Sequence, residues 1–270
     1  MKNFKQIHRT SKPLISIITV CYNAVDFIES TFISIKEQNF QDYEYIVIDG
    51  GSSDGTLEVI QKHQDIIDYW QTEPDQGIAD AMNKGLGHAQ GAYILFLHAD
   101  DYFHTSNSLS VVADFMKKKP GYDVYACNIL YGSNPNLSLQ KPRGFNAWIN
   151  IKTGIFHQGA LCKKTLFDTI GLFDTHFKIA MDYDWFLRAY LKKASLKKTY
   201  LVLTVMRDTG ISSKTDQQSL LNRFTEEKKV HEKNCCNSLW HYIYLVWWLI
   251  YPKYRLFFLA IKNKLAAQPS

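Results

Sequence analysis

The chain has 270 residues, of which 46% are apolar and 21% are charged, as is typical of a globular protein with a sizeable core. This length allows one large α/β domain with an appendage, or two smaller domains. Residues 1–150 carry 12 Lys and Arg against 17 Asp and Glu, a net charge of −5, whereas residues 151–270 carry 19 against 9, a net charge of +10. The basic second half favours contact with an anion such as a phosphate, a nucleic acid or a lipid headgroup.

The cysteines argue against a cysteine-ligated metal site and against a disulfide-stabilised protein. They are Cys21, Cys127, Cys162, Cys235 and Cys236. Their odd number and irregular spacing match neither a disulfide framework nor a metal site. The N-terminal segment is polar and lacks the apolar stretch of a secretory signal. Both observations favour a cytoplasmic protein with reduced thiols.

The first hundred residues alternate between predicted strands and predicted helices. Continuous apolar runs indicate buried strands, and apolar residues at helical spacing indicate helices between them. The predicted strands cover residues 15–20, 45–48, 66–70 and 92–97, and the predicted helical segments fall within residues 26–38, 57–60 and 77–91. This alternation predicts βαβ units and an α/β fold with a largely parallel sheet.

Polar clusters follow three of these strands, at Tyr22, at residues 49–54 and at Asp100 and Asp101. In parallel sheets, ligands bind beyond the carboxyl ends of the strands, so we expect the clusters to line one site. The alternative is that each cluster forms an ordinary turn or helix cap. For Asp54 we favour that alternative.

The second half of the chain is less regular. Residues 131–148 are rich in Gly, Pro, Asn and Ser and predict a long loop or hairpin across the mouth of the site. A short amphipathic helix is predicted over 182–193, an apolar strand within 196–206, and a polar helical segment over 216–234. The sequence contains no internal repeat.

The acidic clusters suggest metal chemistry at a nucleotide. The motifs G-x-G-x-x-G and G-x-x-x-x-G-K-[ST] are absent. Asp100 and Asp101 lack the His or Cys companions of a zinc site, whereas carboxylate oxygens suit Mg²⁺ or Mn²⁺ held together with substrate phosphates. Such an ion would neutralise a diphosphate leaving group, which indicates a nucleotide-activated donor. Asp49 could accept hydrogen bonds from its nucleobase or ribose.

A second acidic pair, Asp182 and Asp184, lies at the start of a predicted helix. Residues two apart on a helix project in different directions, so one can face a cleft as a general base while the other caps the helix or pairs with Arg188. The alternative is that both acids only favour the helix N-terminus through its dipole.

Seven segments of the chain together resemble family 2 glycosyltransferases with the GT-A fold. They are ISIITVCYNA, YIVIDGGSSDGT, EPDQGIADAMNKG, GAYILFLHADDYF, FHQGALCKKTLFDTIGLFD, AMDYDWFLR and GISS. In order, they cover roughly residues 14–213. The resemblance implies an α/β, Rossmann-like GT-A fold with a mostly parallel central sheet. It also implies inverting, metal-dependent transfer of a hexosyl or N-acetylhexosaminyl group from a nucleotide-diphosphate sugar to a glycan or polyprenyl-linked acceptor in cell-surface polysaccharide biosynthesis.

The resemblance further implies a role for each matching residue. Tyr22 would flank the nucleobase and Asp49 would hydrogen-bond it. Asp100 would contact the ribose or donor sugar, and Asp101 would bind the Mn²⁺ or Mg²⁺ ion. Asp182 would deprotonate the acceptor hydroxyl for in-line attack at the anomeric carbon.

Four more residues are implied near the substrates, and two positions depart from the family pattern. Near the donor lie Asn83 and Lys84, and near the acceptor or diphosphate lie His157 and Gln158. Ala99 stands where a full D-x-D motif has its first Asp, and Met181 replaces the usual Glu before the base. The second departure leaves the choice between Asp182 and Asp184 open. Two alternatives stay open: a sugar-phosphate nucleotidyltransferase, which would share the α/β nucleotide site, and a catalytically degenerate sugar-nucleotide-binding protein, which Ala99 and Met181 would favour.

The C-terminal segment differs in character from the rest. We expect an N-terminal extension (1–13), a catalytic domain (14–213) with a nucleotide-sugar part (14–103) and an acceptor part (104–213), and a helical aromatic and basic extension (214–270). The apolar run 239–250 is too short to span a bilayer. Its aromatic and basic side chains predict peripheral attachment to anionic lipid on the cytoplasmic face of the inner membrane. The alternative is packing on the catalytic domain or in a dimer. No nucleic acid is expected as a partner.

Overall fold

The computed structural model describes residues 4–6, 12–210, 213–214 and 216–266. Residues 211–212 of the GISS segment, most of the predicted N-terminal extension and the end of the C-terminal one lie outside this part. The strands are β1 (Phe4–Gln6), β2 (Ile15–Cys21), β3 (Tyr43–Asp49), β4 (Tyr69–Thr72), β5 (Tyr93–Phe96), β6 (Tyr102–Phe103), β7 (Val124–Tyr131), β8 (Ser138–Gln140), β9 (Ala160–Lys163) and β10 (Leu196–Met206). The α-helices are α1 (Ile28–Lys36), α2 (Thr56–Lys62), α3 (Ile78–His88), α4 (Ser108–Lys118), α5 (Lys164–Ile170), α6 (Met181–Leu191), α7 (Gln217–Asn234) and α8 (Ser238–Ala266).

The strands form one mixed sheet in the order β1-β4-β3-β2-β5-β9-β7-β10-β6, with β8 paired to β7. The four neighbours β4, β3, β2 and β5 are parallel, as are β7 and β10, and the antiparallel strand β9 joins the two groups. Every residue of β2 is buried, as expected of a continuous apolar run in a strand covered on both faces. The predicted α/β architecture is confirmed.

Helices cover both faces of the sheet because side chains alternate along each strand. Ile18 of β2 lies in the core on one face with Met82 of α3 and residues of α5 and α6. Its neighbour Ile17 lies in the core on the other face with Phe32 of α1 and residues of α2 and α4. This arrangement leaves the strand ends uncovered for a binding site.

One predicted strand is displaced. The sequence predicts a strand over 66–70, whereas β4 begins at Tyr69. Ile66 instead belongs to the turn after α2, since its backbone N–H bonds to the carbonyl of His63 at 3.2 Å. Ile67 is fully buried in the core formed with α1 and α2. The apolar pair therefore reflects burial of a turn rather than strand pairing.

The C-terminal extension packs against α6 through one buried histidine. His231 of α7 lies 2.8 Å from the hydroxyl of Tyr183, and Trp248 of α8 donates its indole N–H to the other ring nitrogen at 3.0 Å. Tyr244 stacks on the same imidazole with ring centroids 4.2 Å apart. Helix α8 continues through Pro252. None of the helices in the described ranges has the combined length and apolar character that a membrane crossing requires.

Candidate active site

The polar ends of the parallel strands open onto one pocket of about 710 Å³, which we call the strand-end pocket. Its wall includes Tyr22 after β2, Gly50 after β3 and Asp100 after β5. The predicted convergence of the three clusters is therefore confirmed. Tyr22 is 64% exposed, so one face of its ring is free to stack on a planar ligand.

Asp49 holds the loop beside this pocket rather than forming its wall. Its carboxylate is fully buried and accepts hydrogen bonds from the backbone N–H groups of Gly51 and Ser52 at 3.1 and 3.0 Å. The hydroxyls of Ser52 and Thr72 each donate to it at 2.5 Å. Asp49 therefore fixes the backbone on which Gly50 approaches the pocket, and its contact with a nucleobase stays a prediction.

Asp75 is a pocket residue that the sequence reasoning missed. It lies in the wall opposite Gly50, where a Cβ atom would come within 2.5 Å of its carboxylate oxygen. The same carboxylate accepts the N–H of Gly77 at 2.8 Å, at the start of α3. Asp75 belongs to the EPDQG segment, but the sequence does not show that it lies beside Gly50. That position in the folded chain makes it a candidate ligand contact.

The loop from His98 to Asp101 is held by two distant residues. The hydroxyl of Thr31 in α1 bonds to the carbonyls of Ala99 and Asp101 at 2.8 and 2.7 Å. Arg207, which follows β10, donates its guanidinium to the carbonyl of Asp100 at 2.7 Å and its backbone N–H to the carboxylate of Asp101 at 3.2 Å. Arg207 was also missed, because no local pattern marks it.

Asp101 has the properties expected of a cation ligand. It is 1% exposed, and burial raises its carboxyl pKa well above the ordinary value, with a further rise from the neighbouring charge of Asp100. Gln158 and Arg207 oppose this rise. One carboxylate oxygen, Oδ2, is buried without a hydrogen-bond partner in the described structure. Such an oxygen fits a hard divalent cation. The positive charge of the cation would lower the pKa of Asp101 and favour its ionised carboxylate.

The remaining ligands of such an ion would come from the substrate. The described part of the chain contains no group of three or more His, Cys, Asp and Glu side chains arranged around a common metal position. One or two carboxylates together with substrate phosphates is the usual arrangement for Mg²⁺ and Mn²⁺ at nucleotide sites. The residues present therefore fit the predicted ion, which Asp101 would bind.

Asp182 lies in a second pocket of about 420 Å³, the carboxylate pocket, together with Asp101 and His157. The carboxylate of Asp182 lies 3.2 Å from Nδ1 of His157 and accepts the N–H of Tyr183 at 2.6 Å. Nε2 of His157 is buried and has no partner in the described structure. The two pockets are contiguous, because His98 and Asp100 line both of them.

Asp184 has a different environment from Asp182, as helical geometry predicted. It is fully buried and pairs with Arg188 at 2.9 Å, the i,i+4 partner expected from the sequence. Lys233 and Asn234 of α7 also bond to it, at 3.1 and 2.9 Å. Asp182 therefore faces the pocket, whereas Asp184 joins α6 to α7.

Glu226 of α7 supports the N-terminus of α6, and the adjacent Glu227 lines the carboxylate pocket. Glu226 accepts the backbone N–H groups of three consecutive residues, 178–180, at 2.7 to 3.1 Å. Glu227 is buried in the wall of the carboxylate pocket, where burial raises its pKa and the cations Lys152, Arg223 and Arg255 oppose that rise. Neither residue was predicted, because the polar segment 216–234 carries no motif.

The other predicted residues have mixed positions. Gln158 lies in the carboxylate pocket, where its side chain opposes the rise that burial causes in the pKa of Asp101. The Asn83 side chain bonds to the backbone of Phe173 at 2.8 and 3.0 Å, and Lys84 pairs with Glu73 at 3.1 Å. The proposed proximity of Asn83 and Lys84 to a donor stays a prediction.

Solved structures with this fold carry nucleotide sugars. The mannosyltransferase PcManGT of Pyrobaculum calidifontis, in complex with GDP-Man and Mn²⁺, matches with a TM-score of 0.66 and 20% identity over 97% of this chain and 77% of that one. S. aureus TarS, residues 1–349 in complex with UDP-GlcNAc, matches with a TM-score of 0.63 and 17% identity over 82% of this chain and 71% of that one. These likenesses confirm the GT-A fold.

Sequence relatives extend over most of the chain. A Mycobacterium tuberculosis protein described as an uncharacterized glycosyltransferase is 29% identical over 233 residues, 83% of this chain and 86% of that protein. The putative teichuronic acid biosynthesis glycosyltransferase TuaG of Bacillus subtilis is 39% identical over 111 residues, 40% of this chain and 44% of that protein. The model of the family described as "Glycosyl transferase family 2" matches residues 16–183, from the first buried strand to the residue after Asp182. Because that match spans more than half of the chain, the protein belongs to glycosyl transferase family 2.

Proposed function

We propose that this glycosyltransferase moves a hexosyl or N-acetylhexosaminyl group from a nucleotide-diphosphate sugar, with inversion and with a divalent cation. The observation that carries the proposal is the continuity of the two pockets, which share His98 and Asp100. A donor bound at Tyr22 and Gly50 would then have its sugar end beside Asp101 and Asp182. Family membership favours this reaction over nucleotidyl transfer to a sugar phosphate.

Asp182 acts as the base in this proposal. The oxygen of an acceptor hydroxyl attacks the anomeric carbon, the bond from that carbon to the diphosphate oxygen breaks, and the hydroxyl proton passes to the carboxylate of Asp182. His157, 3.2 Å away, orients that carboxylate. The carboxylate of Glu226 accepts the backbone N–H groups of Ile179 and Ala180 and thereby fixes the helix start on which Asp182 lies.

Asp101 would hold Mn²⁺ or Mg²⁺, which when bound neutralises the charge of the departing diphosphate. Asp100 would contact the ribose or donor sugar, and its carboxylate already accepts the hydroxyl of Thr209 at 2.8 Å. Gln158 would orient Asp101. Support for this division of roles comes from the buried, unpartnered oxygen of Asp101.

The acceptor side lies at residues 104–213 in this proposal, and the donor side at residues 14–103. A glycan or polyprenyl-linked acceptor in cell-surface polysaccharide synthesis is supported by the names of two kinds of relatives. TuaG is named for teichuronic acid biosynthesis, and a Mycobacterium bovis relative, 29% identical over 211 residues, is named for PGL/p-HBAD biosynthesis. We place the reaction at the cytoplasmic face of the membrane, with the outward side chains of α8, which include Leu245 and Leu249, toward anionic lipid.

The test is turnover of a nucleotide-sugar panel that includes UDP-GlcNAc and GDP-Man. Purified full-length protein is expected to hydrolyse one donor in the presence of Mn²⁺, with water in place of the acceptor hydroxyl and with release of nucleotide diphosphate and free sugar, and to stop when EDTA is added. Asp182→Asn is expected to lower this rate by roughly 10² to 10⁴, the usual contribution of a positioned base. Its donor affinity should stay within about twofold of the parent, because the strand-end pocket is unchanged.

Asp114→Asn, on the exposed face of α4, is the matched control and should keep the parent rate. Unchanged turnover in Asp182→Asn would reject the proposed base. Donor binding without turnover by the parent protein, with every donor and metal, would instead favour a degenerate binding protein.

A further inference from the structure

An apolar groove of about 730 Å³ lies between α8 and the turn formed by residues 147–150. Its walls are Trp148, Lys152 and a stripe of side chains at helical spacing on α8. The stripe consists of Tyr242, Ile243, Val246, Trp247, Ile250, Tyr251 and Tyr254. The volume lies within the range of small-molecule sites, roughly 300–1,000 Å³. The groove is therefore large enough to hold a chain-like apolar ligand.

The side chains of this groove are open to solvent in the described structure. Val246 is 56% exposed, Ile250 is 62% exposed and Tyr242 is 67% exposed. Exposed apolar patches of this kind mark binding surfaces in soluble proteins. The opposite side of α8 is already packed, since Tyr244 is only 6% exposed. The helix thus has one face committed to the protein and one face available to a ligand.

Lys152 connects the apolar groove to the carboxylate pocket, because it lines both. Among the described residues that line the groove, Lys152 is the one that carries a charge. Its ammonium donates to the hydroxyl of Tyr251 at 2.7 Å, and Arg255 donates to the same hydroxyl at 2.8 Å. Lys152 and Arg255 therefore both donate to the phenolic oxygen of Tyr251, at the end of the groove where Lys152 also lines the carboxylate pocket. Such a cluster is suited to a phosphate group.

We propose that the apolar groove binds the isoprenoid chain of a phosphate-linked acceptor. Its phosphate contacts Lys152 and Arg255, and its sugar end enters the carboxylate pocket. The inference rests on the proposed transferase function, chooses the lipid-linked acceptor over a free glycan and assigns its lipid part to a specific groove. A molecule with an apolar chain, an anionic junction and a polar end matches the groove, the two cations and the carboxylate pocket in that order.

Two other occupants fit the groove less well. A flat bilayer would contact the outward side chains Leu245 and Leu249, 51% and 66% exposed, as much as the concave groove. A second copy of the chain would cover apolar surface but would bring no phosphate to Lys152 and Arg255, which have only the nearby carboxylate of Glu227 as a described anion. A lipid phosphate uses both the concave shape and the charge.

Binding of farnesyl phosphate to the full chain tests the proposal, with titration calorimetry as the readout. Val246→Glu puts a carboxylate into the groove and is expected to weaken binding at least tenfold. Leu245→Glu is the matched control: it adds the same charge at the adjacent, similarly exposed position outside the groove, and its affinity should stay within about twofold. Lys152→Met should weaken farnesyl phosphate but leave uncharged farnesol unchanged.

Equal losses in Val246→Glu and Leu245→Glu would overturn the proposal and indicate a bilayer surface. So would binding seen only with anionic vesicles, or equal affinity for farnesol and farnesyl phosphate. Donor turnover measured on the same preparations separates this inference from the proposed function. Turnover without farnesyl phosphate binding refutes the groove assignment alone, whereas saturable binding without turnover of any donor refutes the transferase proposal.

Discussion

Replacing Asp184 by Asn should lower the stability of the protein but should not directly change the rate of the sugar-transfer step. Asp184 is fully buried and contacts Arg188, Lys233 and Asn234. Removing one partner of a buried ion pair costs roughly 3–5 kcal/mol of unfolding free energy, because the cation left behind has lost its counter-charge. We expect a loss near the lower end of this range, about 3 kcal/mol, because both cations keep other partners. Arg188 retains bonds to two backbone carbonyls at 2.7 and 2.8 Å, and Lys233 retains Asp174 at 2.7 Å.

A loss of about 3 kcal/mol corresponds to a fall in Tm of roughly 6–12 °C for a chain of this size. Differential scanning calorimetry and urea unfolding measure it directly. Below its transition, Asp184→Asn is expected to bind donor like the parent, since Asp184 lines neither pocket. Asp114→Asn serves again as a control, with a change within about 0.5 kcal/mol for an exposed carboxylate.

The opposite pattern would refute this reasoning. An Asp184→Asn protein with parental Tm and no transfer, beside an active Asp182→Asn protein, would show that the roles of the two acids are reversed. A fall in Tm below about 2 °C would show that the buried pairs contribute little net stability, as continuum arguments allow for some buried ion pairs.

Three further predictions concern other parts of the molecule. Burial lowers the pKa of His231 from 6.5 to about 4, so the unfolded chain binds more protons between these values. Unfolding free energy should therefore fall by about 2 kcal/mol from pH 7 to pH 5, and His231→Gln should lose that dependence. Burial raises the pKa of Cys127 to about 12, so iodoacetamide at pH 8 should modify exposed Cys236 in the folded protein and Cys127 only in urea, as peptide mapping will show. Gly50→Ala would add a Cβ within 2.5 Å of a carboxylate oxygen in the strand-end pocket, and donor affinity by calorimetry should fall roughly tenfold, or about 1.4 kcal/mol. Gly87→Ala, where a Cβ meets open space, should bind donor like the parent.

The sequence predicted the features that depend on local pattern. Strands β2, β3 and β5 were recognisable because parallel strands buried on both faces are continuous apolar runs. The different orientations of Asp182 and Asp184 followed from helix geometry and the spacing to Arg188. The polar clusters could be placed on one edge because the carboxyl ends of parallel strands meet there.

Features that depend on distant contacts could not be predicted. Arg207 and Asp100 are 107 residues apart in sequence, and their contact exists only because β6 pairs with the end of β10. Asp75 can be identified as a pocket residue only because the fold places Gly50 beside it. Lys152 is an unremarkable residue in a loop until α8 packs beside it. For each of these residues, tertiary structure supplies the partner that no local spacing encodes.

The first turn of α6 explains why the C-terminal extension matters to the catalytic domain. Asp182 faces the carboxylate pocket. The next two side chains face α7, since Tyr183 contacts His231 and Asp184 contacts Lys233. Glu226 of α7 holds the backbone just before them. A chain ending before α7 would lose all three supports, and one ending before α8 would leave His231 without Trp248.

Loss of activity on truncation would therefore report a disturbed α6 as much as a lost lipid contact. Substitutions on the open face of α8 avoid this ambiguity, because Val246 and Leu245 are both more than half exposed and differ in whether they line the apolar groove. The extension thus has two separable roles in this structure. Its packed face positions the carboxylate that we assign as the base, and its open face provides the surface that we assign to the acceptor lipid.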